Sequence, residues 1–214
     1  MKFIRAFDAA HVATTRLAPQ EAQILMTLEQ DWRTITAQPG AESRFDPALL
    51  DSALPYAFML ERTAPGALRT RVAGQRLHEM LRMDPRGMSF GAFFTEGARD
   101  TVLRLAEQAF TSPAVVSIPL LAQRSFGRKP LRAEVLLLPL RDAKGRLTRV
   151  MGALVVSGQT GTRGLRFELA SDQPVRCDQM DTPYPDRRAR RSEVAYAPPA
   201  RTEKPALRLV VNNG

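Results

Sequence analysis

The chain has 214 residues, a formal net charge of +9 and a single cysteine. One cysteine excludes an internal disulfide framework and suits a reducing compartment, and no uninterrupted apolar run is long enough to cross a bilayer as a helix. The excess positive charge is scattered, through Arg62, Arg69, Arg71, Arg104, Arg124, Arg132 and Arg149, which favours a solvated surface over a nucleic-acid footprint.

Residues 1–18 form a short, weakly patterned arm. Asp8, His11 and Arg16 interrupt any apolar segment there, so the start does not read as a secretory signal. A cytoplasmic protein is expected. From Pro19 the pattern predicts a helix: proline suits the first helical position, and Glu21 lies near the positive end of the dipole. Leu25, Leu28, Trp32 and Ile35 follow at spacings of three, four and three. That seam has two readings, a cap on the domain's own sheet or a contact in a homodimer, and it lasts under three heptads. Gln38-Pro39-Gly40 stops this helix, and Asp46-Pro47 reads as the start of another short one.

Two strand-like runs come next, Tyr56–Arg62 and Leu68–Ala73, joined by Ala64-Pro65-Gly66. A short helix over Gln75–Arg82 and a turn at Asp84–Gly87 follow. Phe90, Phe93 and Phe94 then place three aromatics within five residues. The spacing of Val102, Leu105, Ala106 and Ala109 predicts an amphipathic helix from about Ala98 to Phe110. Three longer strands close the block, Ala114–Gln123, Leu131–Leu140 and Leu147–Ser157, the last two joined by Asp142–Gly145. This order predicts an α+β domain, a five-stranded antiparallel sheet with helices packed on one face. After Gly158 the chain is rich in glycine and proline and poor in large apolar residues, and residues 159–214 read as a flexible basic tail. The tail carries Arg187, Arg188, Arg190 and Arg191, and ends in the strand-like Leu207–Val211.

Three phrases carry a family likeness: Leu54-Pro55-Tyr56-Ala57-Phe58-Met59-Leu60-Glu61, Arg71-Val72-Ala73-Gly74-Gln75-Arg76-Leu77 and Leu136-Leu137-Leu138-Pro139-Leu140. With the upstream helix around Trp32, the chain resembles a family of small stand-alone PAS-domain proteins of alphaproteobacteria, over roughly residues 25–158. The resemblance implies a PAS fold over residues 19–158, with an N-terminal capping helix, and a regulatory role. It transfers no catalytic residues.

The chemistry is correspondingly sparse. Haem would need an axial ligand, usually histidine, and the block offers only His78. A flavin adduct would need a core cysteine, whereas Cys177 lies in the tail. The expectation is therefore no bound cofactor. Arg71 and Arg132 can fix a carboxylate through paired donors, and Phe58 and Phe94 can line a pocket; with His78 they make the candidate ligand set. Solvent-facing arginines and core aromatics are the structural alternatives, and Glu134 can pair with an arginine across strands. Gly158–Gly164 lacks the Gly-Lys-Ser/Thr ending of a phosphate loop, and two histidines and one cysteine, far apart, make a poor metal set. No enzyme signature is present. The expected function is a non-enzymatic regulator that binds a partner protein, as a homodimer. A small-ligand sensor, or an accessory nucleic-acid binder using the Arg187–Arg191 cluster, are the alternatives.

Overall fold

A computed structural model describes residues 16–36, 52–123, 129–142 and 145–180. Helix α1 spans Pro19–Thr36, and a 3₁₀ turn at Leu54–Tyr56 leads into strands β1 (Ala57–Ala64) and β2 (Ala67–Ala73). Helix α2 (Gln75–Leu81), a second 3₁₀ turn (Phe90–Phe93) and helix α3 (Glu96–Thr111) follow. The chain then returns as β3 (Ala114–Ala122), β4 (Leu131–Arg141) and β5 (Leu147–Val156). The five expected strands and the helices between them are all present. The short helix expected at Asp46-Pro47, the Arg187–Arg191 cluster and the Leu207–Val211 run lie outside the described residues.

All pairings are antiparallel and run in the order β2-β1-β5-β4-β3. The β1–β2 hairpin turns through Pro65 and Gly66, with Ala64 opposite Ala67. Gly66 takes φ 73°, the left-handed position that a turn with proline before it requires. Alternation along the strands sorts the side chains onto two faces. Phe58, Leu60, Leu68, Val116, Ile118, Val135, Leu137, Val150 and Leu154 face α2 and α3 in the inner core. Val115, Leu136, Leu138, Met151, Ala153 and Val155 point the other way and are covered by α1. The described domain is thus three layers, with α1 on the outer face of the sheet and the other described helices on the inner face.

The boundary drawn at residue 158 needs correction. Residues Phe167–Leu169 and Arg176–Gln179 form strands β6 and β7, both pairing antiparallel with β3 along its far edge. The sheet therefore has seven strands, not five. Leu165, Phe167 and Ala170 are buried, Phe167 completely. The Leu165 amide donates to the Met80 carbonyl at 2.8 Å, and the Thr95 amide at the start of α3 donates to the Phe167 carbonyl at 2.8 Å. Composition misleads here because the segment needs no core of its own. Three apolar side chains and the hydrogen-bonding edge of β3 suffice to hold it.

The opposite edge is also covered. The Thr70 amide of β2 donates to the Met88 carbonyl at 3.0 Å, the Gly87 amide donates to the Thr70 carbonyl at 2.7 Å, and Arg69 bridges to Ser89.

Close approach explains one glycine in the middle of β5. Gly152 stands opposite Phe58 on one side and Leu137 on the other. A Cβ there would lie 2.8 Å from the Leu136 carbonyl oxygen and closer still to the Phe58 ring. That ring is fully buried and cannot swing away. Gly152→Ala should therefore lower stability by about 2–3 kcal/mol, the cost of overpacking a close-packed site. Gly97→Ala, on open space in the first turn of α3, should be neutral or slightly stabilising. Urea unfolding of the two variants checks the contrast.

Candidate functional site

The space between the sheet's inner face and the helices is where this architecture can enclose a ligand, and here it is filled by aromatic rings. Phe58 comes from β1, Phe90, Phe93 and Phe94 from the second 3₁₀ turn and its end, and Phe167 from β6. Phe90 is the hub: its centroid lies 5.5 Å from Phe58, 5.5 Å from Phe93 and 5.1 Å from Phe94, the last two edge-on. Phe94 continues the chain of rings to Phe167 at 6.4 Å. These spacings and tilts are those at which ring quadrupoles attract. All five rings are at most 2% exposed.

One polar group accompanies them. Thr70 lies on β2 two residues beyond Leu68, so both side chains take the inner face. It is completely buried, and its hydroxyl has no hydrogen-bond partner among the described residues. Sequence reading missed it because a threonine in a strand is ordinary; only the burial of its hydroxyl sets it apart.

The candidate ligand set of Phe58, Arg71, His78, Phe94 and Arg132 is not gathered into one place. Phe58 and Phe94 belong to the ring cluster. Arg71 is exposed and paired to Glu61 of β1. Arg132 sits on the outer side of β4 and makes two hydrogen bonds to Asp172, at 2.8 and 2.6 Å. His78 is half-exposed on α2, its Nδ1 3.8 Å from Asp84. The charged side chains keep water or a counter-charge, because burying them unpaired beside five phenyl rings would cost several kcal/mol each. Their partners respond accordingly. The Arg86 guanidinium holds the Asp84 carboxyl down to about 2, and Arg132 lowers that of Asp172. Glu134 accepts a hydrogen bond from the buried Ser117 hydroxyl. A hollow of about 390 Å³ between α1, α2 and the end of β5, lined by Glu21, Tyr56, Arg76, Glu79 and Thr160 among others, includes none of the five.

The second set, Leu25, Leu28, Trp32 and Ile35, is resolved by burial. Leu25, Leu28 and Trp32 are at most 5% exposed, packed on the protein's own sheet; Ile35 is half-buried. The Trp32 indole donates to the Pro139 carbonyl at 3.2 Å. Leu25, Leu28 and Trp32 therefore make the capping contact, and Ile35 keeps part of its surface open.

Two residues that sequence reading passed over fix the other flank of α1. Glu29, with only 14% of its side chain exposed, accepts from Arg33 on its own helix and from Arg176 on β7. Burial pushes the Glu29 carboxyl up, but the hydrogen bonds from Arg176 and Arg33 outweigh it and leave it below the ordinary 4.5. A depressed carboxylate contributes stability that is complete above its unfolded value and is lost as pH falls through its lower folded value. The melting temperature should thus fall below about pH 4.5, and by less in Glu29→Gln than in the native protein. Melts at pH 6, 4 and 3 test this.

Comparison with known proteins gives one family. A family model described as "PAS domain" matches residues 20–155. No curated protein matches the chain. Solved structures that align include a light-oxygen-voltage domain studied with a flavin analogue, at 15% identity and a TM-score of 0.38, over 55% of this chain and 90% of that one. Another is the light state of the blue-light photoreceptor Aureochrome1 LOV, at 17% identity and a TM-score of 0.38, over 53% of this chain and 89% of that one. Among the described residues no helix is long and apolar enough to cross a membrane, and no group of histidine, cysteine and carboxylate side chains could hold a metal ion.

Proposed function

This chain belongs to the PAS-domain family, and we propose that it is a non-enzymatic regulator whose output passes through a partner protein. The observation that carries this reading is the ring cluster. Five interlocked phenyl groups occupy the interior, so a planar cofactor would have to displace them, and recognition falls to the surface. His78, the histidine the block offers to a haem, is half-exposed beside Asp84, and Cys177, the single cysteine, is exposed on β7. The resemblance to stand-alone alphaproteobacterial regulators supports the same reading, with the protein acting in the cytoplasm. Affinity capture with the full chain from its native host is the test. Recovery of one protein in near-stoichiometric amount, unchanged by nuclease, is expected. Capture that vanishes with nuclease would move the reading to nucleic acid and the Arg187–Arg191 cluster. A visible absorption band retained through gel filtration would move it to a cofactor. Sedimentation of the same preparation tests the homodimer.

A second reading, a small-ligand sensor, is favoured by Thr70. A fully buried hydroxyl without a partner costs about 1–3 kcal/mol, a cost that an apolar ligand bearing one polar atom would relieve. Thr70→Val keeps the shape and removes the hydroxyl. With nothing bound, the variant should be more stable than the native protein by about 1 kcal/mol, measured by urea unfolding. If the native protein carries a ligand through this hydroxyl, the variant will instead be less stable.

A further inference from the structure

Helix α1 and strand β7 are far apart in sequence and share one set of contacts. Glu29 and Arg33 of α1 meet Arg176 and Asp178 of β7 in a closed ring of charges. Arg33 reaches Glu29 at 2.8 Å and Asp178 at 3.7 Å, and Arg176 reaches Asp178 at 2.7 Å and also pairs with Glu29. The ring holds two positive and two negative side chains and is neutral within a basic chain. Met180, just past β7, packs against the same outer cluster as Leu25, Leu28 and Trp32, and its amide donates to the Pro113 carbonyl at 2.7 Å. Strand β7 also meets α3, where the Cys177 thiol donates to the Gln108 side-chain oxygen at 3.9 Å. It is four residues long and mostly exposed, and among the described residues it pairs with Ala114–Ser117 of β3.

From this we infer that α1 and β7 are a single coupled latch, seated together or lifted together. Lifting either removes half of the charge ring and the apolar contact at Met180, so each loses the supports it draws from the other. Lifting both bares the apolar outer face, Val115, Leu136, Leu138, Met151, Ala153 and Val155, together with the β3 edge at Ala114–Ser117. A partner that draws on the chain beyond Met180 thereby loosens α1, more than 140 residues earlier in the sequence. The coupling is independent of what that partner is.

Coupling free energy is reciprocal, and this makes the inference testable in the full chain by amide hydrogen exchange. Glu29→Gln changes a residue of α1 and should speed exchange along the whole of α1 and at the β7 amides together. Arg176→Gln alters β7 alone and should speed exchange along α1 by a similar factor. Roughly tenfold is the expected scale for neighbours in one ion-pair network. Amides of β4 and β5 should be unchanged. Faster exchange confined to the mutated element, or no change in either, overturns the coupling. Should a variant also loosen β4 and β5, the native protein under rising sodium chloride carries the test. Screening the ring must raise exchange in α1 and β7 in parallel, and divergence between the two refutes the latch.

Discussion

Cut after Ser157, the chain should fail to reach its native fold, whereas cut after Met180 it should fold and melt as the full protein does. The shorter form loses Phe167, the last of the five linked rings, with the buried Leu165 and Ala170. Removing a buried phenylalanine side chain alone costs about 3–5 kcal/mol, against a net stability of about 5–15 kcal/mol for a whole domain. The cut also strips the Thr95 amide of its acceptor at Phe167 and uncovers the β3 edge. Far-UV circular dichroism with a urea titration of both truncations distinguishes the cases. A cooperative transition at the native midpoint in residues 1–157 would show that β6 contributes nothing essential.

Trp32→Ala is the second large effect, and it should act on one layer. The indole is completely buried, and its N–H is bonded to Pro139 of β4. Truncation removes the transfer free energy and leaves a cavity, together about 3–5 kcal/mol. Since α1 packs only on the outer face, that loss is expected to release the helix while the inner core stays folded. The variant should bind a hydrophobic dye and keep its strand signal. Trp32 is the single tryptophan, so in the native protein its fluorescence reports the seating of α1 directly. The fluorescence transition in urea should precede the circular-dichroism transition. A variant that binds no dye and unfolds at the native midpoint would contradict the packing of α1 described above.

Much of the fold was legible because alternation is a local signal. The strands from β1 to β5 and the helix α3 follow from spacing alone, whereas the capping use of Leu25, Leu28 and Trp32 is decided by their burial. Gly152 also left a trace, since a glycine inside a strand points to a close approach, though only the register shows that Phe58 fills the space. The charged residues were not legible in this way. Arg71, Arg132 and Arg176 are alike in sequence, and which carboxylate each one meets is decided by the tertiary fold: Glu61 on the paired β1, Asp172 in the turn after β6 and Glu29 on α1. β6 and β7 escaped for a related reason. They draw their order from β3 rather than from a pattern of their own, so composition read as a tail what the sheet uses as a margin. The ring cluster was visible as aromatics, but spacing could not decide between a pocket lining and a filled interior.

The covered margins of the sheet bear on how the protein fares in concentrated solution. An unpaired strand edge invites edge-to-edge growth into filaments. On the β2 side, Gly87–Ser89 blocks that route with hydrogen bonds. On the β3 side, half of the barrier is the four-residue β7, held in part by charges that acid neutralises and salt screens. Precipitation should therefore begin at low pH or high salt before the core melts, and it should start from the β3 edge.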